Sequence, residues 1–233
     1  MTWMLHQYTY NGELVVKLAQ RIADALLNAI NERGRASLAV SGGSTPVSLF
    51  RALSCIDIPW SKVVVTLVDE RWVPESHLDS NAHLVRLHLL REHAAKARFV
   101  GLKTDAADPF LAVVDVEAKL RKSVLPLDLA VLGMGEDGHT ASFFPAAQGL
   151  DDALSSATRI CSGIRPPVAP HARMTLSLST ILGAKQLFLH IIGVKKREVL
   201  EAAMMPGPVY EPPVRAVLHQ TKVVMEIFYA EQD

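Results

Sequence analysis

Residues 13–33, ELVVKLAQRIADALLNAINER, place Leu14, Leu18, Ile22, Ala25, Leu26 and Ile30 at three- and four-residue steps. That spacing predicts a long amphipathic helix, and Gly34 supplies its stop. ASLAVSGG follows as a short apolar strand running into a glycine turn. Pro46 suits the first turn of a helix that VSLFRALS continues. KVVVTLVDERWVP predicts a second buried strand, closed by Pro74, and residues 80–92 and 108–124 predict helices. LDLAVLGMG is a third buried strand, and RMTLSLSTI, residues 173–181, alternates as a strand. QLFLHIIG is another apolar strand, followed by the helix KKREVLEAAM, and KVVMEIFYA closes the chain as a strand.

Apolar strands alternating with helices predict an α/β protein with a mainly parallel sheet covered on two faces. No internal repeat, low-complexity tract or linker breaks the pattern, so 1–233 reads as a single domain. GIRPPVAPHAR, residues 163–173, and the stretch holding Pro206, Pro208, Pro212 and Pro213 read as surface loops. In such sheets ligands bind beyond the carboxyl ends of the strands. SGGSTP, DERW and GMGEDGHT each follow an apolar strand. Three separate loops are therefore expected to converge on one rim.

Composition narrows the partners. Lys plus Arg is 24 and Asp plus Glu is 24, so there is no basic excess of the kind that nucleic-acid binding needs. A small anion needs only a few local positive groups. Cys55 and Cys161 lie far apart, without metal-like spacing, and read as free buried thiols in a reducing compartment. MTWMLHQYTY lacks a basic segment followed by an apolar core, and no run reaches the ~18 apolar residues of a membrane span. The expectation is a cytoplasmic protein with no membrane and no nucleic-acid partner.

Each motif has a functional and a plain reading. In SGGSTP, Gly42 and Gly43 permit a tight turn with exposed amides, Ser44 and Thr45 add hydroxyls, and Pro46 opens a helix whose positive end faces the loop. That combination suits phosphate; the plain alternative is a strand-to-helix turn with a Ser or Thr cap. In DERWVP, Asp69, Glu70 and Arg71 close a strand. Such charges are often solvated, or Arg71 offers a fixed guanidinium to an anion. DSNAHLVR is adequately explained as a helix start capped by Asp79 or Ser80. In GMGEDGHTASFFP, His139 titrates near neutrality and suits a general base, with Asp137 placed to tune it. A metal reading has one His, one Asp and no third ligand in the motif. Other histidines, such as His83, His88 and His190, sit in helical or strand patterns and read as structural or solvated. Arg173 opens a strand after the Pro-rich loop, and Lys196 stands at a strand-to-helix junction.

SGGSTP, DERWVP, DSN, GMGEDGHTASFFP, RMTLSLSTI and GVKKREVL occur in the order seen in the 6-phosphogluconolactonase family, which the chain resembles over nearly its whole length. The resemblance implies a three-layer α/β/α fold shared with glucosamine-6-phosphate deaminase and ribose-5-phosphate isomerase. It implies hydrolysis of a sugar-phosphate lactone without metal or organic cofactor. A monomer or weak homo-oligomer is the expectation for assembly. Carried over by position, His139 matches the catalytic histidine and Asp137 the acidic residue of its turn. Gly42, Gly43, Ser44 and Thr45 match the loop near the sugar phosphate, and Arg71 and Lys196 match its basic partners. Arg173 matches the arginine before the TLS strand, and Asp69 is grouped with the substrate-binding residues. The chain departs from the family's Leu-Phe-Pro-Gly after TAS, reading Phe143-Phe144-Pro145-Ala146; loss of the glycine is expected to alter that loop.

The nearest rival is an amino-sugar phosphate deaminase-isomerase, which the glycine loop, the Asp-Glu pair and the Asp-Gly-His turn also resemble. Asp69 stands where that family places its proton-abstracting Asp. That family carries a Glu five residues after the His; Phe144 stands there and transfers no proton. A non-catalytic sugar-phosphate sensor is a second alternative, and a mere binder has no use for a histidine base.

Overall fold

The computed structural model describes residues 3–233; the first two residues of MTWMLHQYTY lie outside them. The chain begins β1 (Trp3–Tyr10), α1 (Asn11–Arg33), β2 (Ala36–Val40), α2 (Val47–Ser54), β3 (Val63–Leu67), β4 (Asp69–Arg71) and α3 (Asn81–His88). It continues β5 (Arg98–Val100), α4 (Pro109–Ser123), β6 (Leu129–Leu132), α5 (Leu150–Ser155), β7 (Cys161–Ile164) and β8 (Arg173–Leu176). It closes with α6 (Leu178–Ile181), β9 (Gln186–Ile192), α7 (Val194–Met204), α8 (Arg215–Leu218) and β10 (Met225–Gln232). Among the described residues, seven strands form a parallel sheet in the order β1-β10-β9-β6-β2-β3-β5. β4, β8 and β7 form a small antiparallel sheet.

Strand order fixes where a ligand can enter. From β2 the chain moves outward to β3 and β5; from β6 it moves the other way, to β9 and β10. With right-handed connections, that reversal sends α1, α2 and α3 to one face and α4 and α7 to the other. Contacts between α1 and α2 and between α2 and α3 agree. The two directions part between β2 and β6, leaving a crevice beyond their carboxyl ends.

The predicted helix over 13–33 is present, and Gly34 ends it with φ 75. Its stripe of Leu14, Leu18, Ile22 and Leu26 is fully buried and packs on β2 and β10. β2, β3 and β6 are buried at every position, as strands covered on both faces must be. No helix among the described residues is long and apolar enough to cross a membrane.

Several sequence expectations are corrected. KVVVTLVDERW is two strands in two sheets. Val68 is the pivot: its N–H donates to Val40 O at 2.9 Å, while its carbonyl accepts from Leu176 N–H at 2.8 Å. Residues 173–181 divide likewise: β8 ends at Leu176, and Ser177 caps α6 by accepting the Thr180 N–H at 3.2 Å. Apolar alternation runs on through that cap, so periodicity alone misses the break. The helix predicted over 80–92 stops at His88. β1, β5 and β7 were not anticipated, being edge or short strands whose pairing rests on distant partners. Both cysteines are free as expected, with Cys161 buried and pushed up to about 12 by desolvation, but Cys55 is exposed at the end of α2.

Ser177 also donates to Arg159 O at 2.6 Å and is fully buried. Ser177→Ala is expected to lower unfolding free energy by about 1–2 kcal/mol, read as a lower urea midpoint at unchanged m-value. A midpoint equal to wild type would remove the cap from the stability account.

Candidate active site

A cavity of about 220 Å³ opens beyond the carboxyl ends of β2, β6 and β9, at the parting of the sheet. Gly42, Gly43, Ser44 and Thr45 line one wall, and Asp69, Arg71 and Arg173 another. His139 and Lys196 complete the set brought together from sequence. Asp137 stands behind His139, outside the lining.

The loop after β2 is held by Ser41, whose N–H donates to Val131 O at 3.0 Å and whose hydroxyl accepts the Gly133 N–H at 3.3 Å. No side chain caps α2, so the Ser44 and Thr45 hydroxyls are not consumed as the plain reading supposed. Thr45 Oγ1 instead accepts from Lys196 Nζ at 3.4 Å. Burial pushes the Lys196 ammonium below its ordinary value, with Glu136 pulling the other way. A partly buried cation beside two uncapped hydroxyls and a helix start has the chemistry that suits an anion. Gly42 is required by contact: a Cβ there would lie 1.8 Å from Asn81 Oδ1.

The turn after β6 is tightly drawn. Gly135 N–H donates to His139 O at 2.9 Å, and Thr140 Oγ1 donates to Gly133 O at 2.8 Å. Asp137 Oδ1 accepts the His139 N–H at 3.1 Å and meets His139 Nδ1 at 2.5 Å. The hydrogen bond from His139 holds the Asp137 carboxyl below its ordinary value. An ionised Asp137 accepts the Nδ1 proton, so Nε2 carries the imidazole's free lone pair. Gly135 is the price of this closeness, since a Cβ there would fall 2.3 Å from His139 Nδ1. The other Pro-rich loop braces the turn, Val214 N–H donating to Gly138 O at 2.9 Å.

Phe144 serves as a platform. His139 stacks on it at 4.2 Å between centroids, and the Arg173 guanidinium lies 5.2 Å from the same ring. Ala146 has φ 55. That is a left-handed conformation glycine adopts more readily, and the alanine bears the strain.

Asp69 is a buried junction. Its Oδ2 accepts from Ser142 Oγ at 2.5 Å, its Oδ1 from Asn81 Nδ2 at 3.3 Å, and Arg173 Nη1 stands 3.8 Å from Oδ2. Glu70 is buried too, contrary to a solvated strand end. Its oxygens accept the N–H groups of Arg71, Asn81 and Ala82 at 2.7–2.8 Å, anchoring the start of α3. Ser80, as anticipated, caps that helix. Arg71 Nη1 donates to Asp79 O at 2.6 Å.

Asn81, Ser142 and His190 escaped sequence reasoning. His190 was read as structural or solvated; it lines the cavity, is 2% exposed, and neither ring nitrogen has a hydrogen-bond partner. Burial, reinforced by Lys196, pushes it down to about 4. A lone histidine inside the apolar run QLFLHII was the available signal. For a metal, the one group of three ligand atoms among the described residues is His77, Asp79 and His171, outside the cavity lining.

Comparison with known proteins places these observations. Residues 10–225 match the family described as glucosamine-6-phosphate isomerases/6-phosphogluconolactonase. A 6-phosphogluconolactonase of Mesorhizobium japonicum is 48% identical over 94% of this chain and 91% of its own length. The crystal structure of a 6-phosphogluconolactonase from Shewanella baltica is 41% identical and matches with a TM-score of 0.95 over 97% of each chain. A monomeric glucosamine-6-phosphate deaminase, 18% identical, matches with a TM-score of 0.78 over 96% of each chain, a likeness of fold. The α/β architecture with a central parallel sheet and flanking helices is the one expected.

Burial keeps His190 neutral when folded, while its unfolded value is 6.5. The unfolded chain therefore takes up the proton first as pH falls. Stability is full above 6.5 and declines down to about 4, by about 3 kcal/mol. His190→Leu is expected to flatten that part of a pH-stability profile. An unchanged acid limb would show that His190 is not its source.

Proposed function

The chain belongs to the glucosamine-6-phosphate isomerase/6-phosphogluconolactonase family, and we propose that within it this protein hydrolyses 6-phospho-D-glucono-1,5-lactone to 6-phospho-D-gluconate, a step of the oxidative pentose phosphate pathway. The observation that carries the reading is the Asp137–His139 pair at 2.5 Å, on a cavity also lined by Arg71, Arg173 and Lys196. Phe144 supports the lactonase over the deaminase, because it supplies stacking surface to His139 and has no acid to assist ring opening of an amino sugar.

A δ-lactone is an activated ester. Its hydrolysis needs a water aimed at C1, a base for the water proton, and a proton for the departing ring oxygen. His139 Nε2 takes the water proton as oxygen attacks C1. Asp137 holds Nδ1–H throughout and stabilises the imidazolium. Collapse of the tetrahedral adduct breaks the C1–ring oxygen bond, and the imidazolium returns its proton to that oxygen. One water is consumed and His139 ends neutral.

Positioning comes from the remote phosphate. Lys196, Arg71 and the 42–45 loop clamp it, so binding energy far from C1 orients the reacting carbon. The ammonium of Lys196, pushed down by burial, gains a counterion on binding. Asp69, committed to Ser142, Asn81 and Arg173, acts chiefly by holding the arginine wall in place.

His139→Ala is expected to lower kcat by about 100- to 10,000-fold, with 6-phosphogluconate binding retained. Acid release from fresh lactone measures it, and near-wild-type turnover would sink the base assignment. Arg71→Ala is expected to raise KM about tenfold, with kcat changed far less. Unchanged kinetics would remove Arg71 from the phosphate site.

A further inference from the structure

Two loops flank the arginine wall of the cavity. Residues 74–80 follow β4, which carries Arg71, and residues 165–172 precede β8, which opens with Arg173. They meet at three side chains. His171 Nε2 lies 2.9 Å from Asp79 Oδ2, His77 Nδ1 lies 3.8 Å from the same oxygen, and all three donor atoms fall within 4.8 Å of one another. The two imidazoles stand edge to face, at 79° with centroids 5.6 Å apart. The Asp79 N–H donates to His77 Nδ1 at 3.1 Å. That nitrogen is therefore the unprotonated one, and a metal ion that takes its lone pair displaces the Asp79 N–H.

We propose that His77, Asp79 and His171 form a zinc site that clamps the 74–80 loop to the 165–172 loop at the rim of the cavity. Two imidazoles and one carboxylate are the ligand set of a borderline divalent ion, whereas magnesium and calcium want oxygen alone. At zinc bond lengths of about 2.0–2.1 Å, tetrahedral ligand atoms stand roughly 3.3–3.4 Å apart. The observed separations straddle that value, so small side-chain rotations close the site. Asp79 and His77 are half-exposed, which leaves the fourth position to water. On binding, zinc takes the place of the proton between His171 and Asp79. A His171 proton on Nε2 moves through solvent to Nδ1, and the imidazole stays neutral. Arg71 already donates to Asp79 O, and His171 is two residues from Arg173. The ion therefore fixes the backbone on which both arginines depend. It takes no part in the lactone chemistry, and the site does not rest on that reading.

The test uses the full chain after EDTA dialysis, titrated with zinc chloride against a chromophoric chelator. Wild type is expected to bind one zinc per chain, to gain several degrees in Tm at about 100 times the dissociation constant, and to show no gain with magnesium. His77→Ala and His171→Gln are expected to lose at least tenfold in zinc affinity, with Tm in EDTA unchanged. Gln keeps a hydrogen-bond donor for Asp79 and is not a zinc ligand, which separates the metal from the hydrogen bond. His139→Ala is expected to bind zinc as wild type does. Amide exchange at 165–172 is expected to slow with zinc. No binding by wild type, or equal binding by His171→Gln, overturns the site, and binding without slowed exchange at 165–172 overturns the clamp.

Discussion

The reversal of the chain between β2 and β6 is the constraint on which the site depends. Each parallel strand ends in a loop free to turn, and elsewhere in the sheet a neighbouring crossover covers that end. Between β2 and β6 the crossovers leave in opposite directions, so the space stays open. The two glycine-bearing turns occupy it because they are the loops of those two strands. Ser41 ties them, through Val131 O and Gly133 N–H. The anion loop and the histidine turn are thus fixed relative to one another by the sheet itself.

The other wall depends on a change of sheet. At Val68 the chain leaves the parallel ladder and joins the antiparallel one, which turns Asp69 inward. A buried carboxylate is costly unless its oxygens find partners. Asp69 finds Ser142 from the histidine turn, Asn81 from α3, and Arg173 from β8. One desolvated acid therefore joins three parts of the chain around the cavity. Glu70 does the same for the start of α3, with backbone N–H groups as its partners. Removing either acid would leave several buried donors unpaired, a larger loss than one hydrogen bond.

Stability is given up in several places near the cavity. His190 is buried with no partner, Ala141 holds a left-handed backbone, and Lys196 is a partly desolvated cation. Each is unfavourable alone, and their clustering at a cavity is typical of a site organised for a ligand. The stack of His139 on Phe144 works in the other direction, fixing the imidazole through apolar contact as Asp137 fixes it by charge.

Much of this was legible in the chain. Wholly apolar runs such as ASLAV and LDLAVL announce strands covered on both faces, and a stripe such as Leu14, Leu18 and Ile22 announces a helix lying on them. Turn chemistry placed SGGSTP and GMGEDGHT at strand ends, and strand-end loops in a parallel sheet share one side. Those are local rules, so local sequence suffices for them. The division of KVVVTLVDERW at Val68 and of RMTLSLSTI at Ser177 did not follow, because charges after Val68 read equally as the end of one strand, and apolar alternation runs on through Ser177. There the decision belonged to a hydrogen-bond partner more than a hundred residues away, Leu176, for Val68 and to a cap for Ser177. Nor could His190 be told from a satisfied core histidine, or Asp79 and His171 be seen to meet across 92 positions. Burial, pairing and proximity depend on which distant segments pack together, and the chain acquires those properties only when it folds.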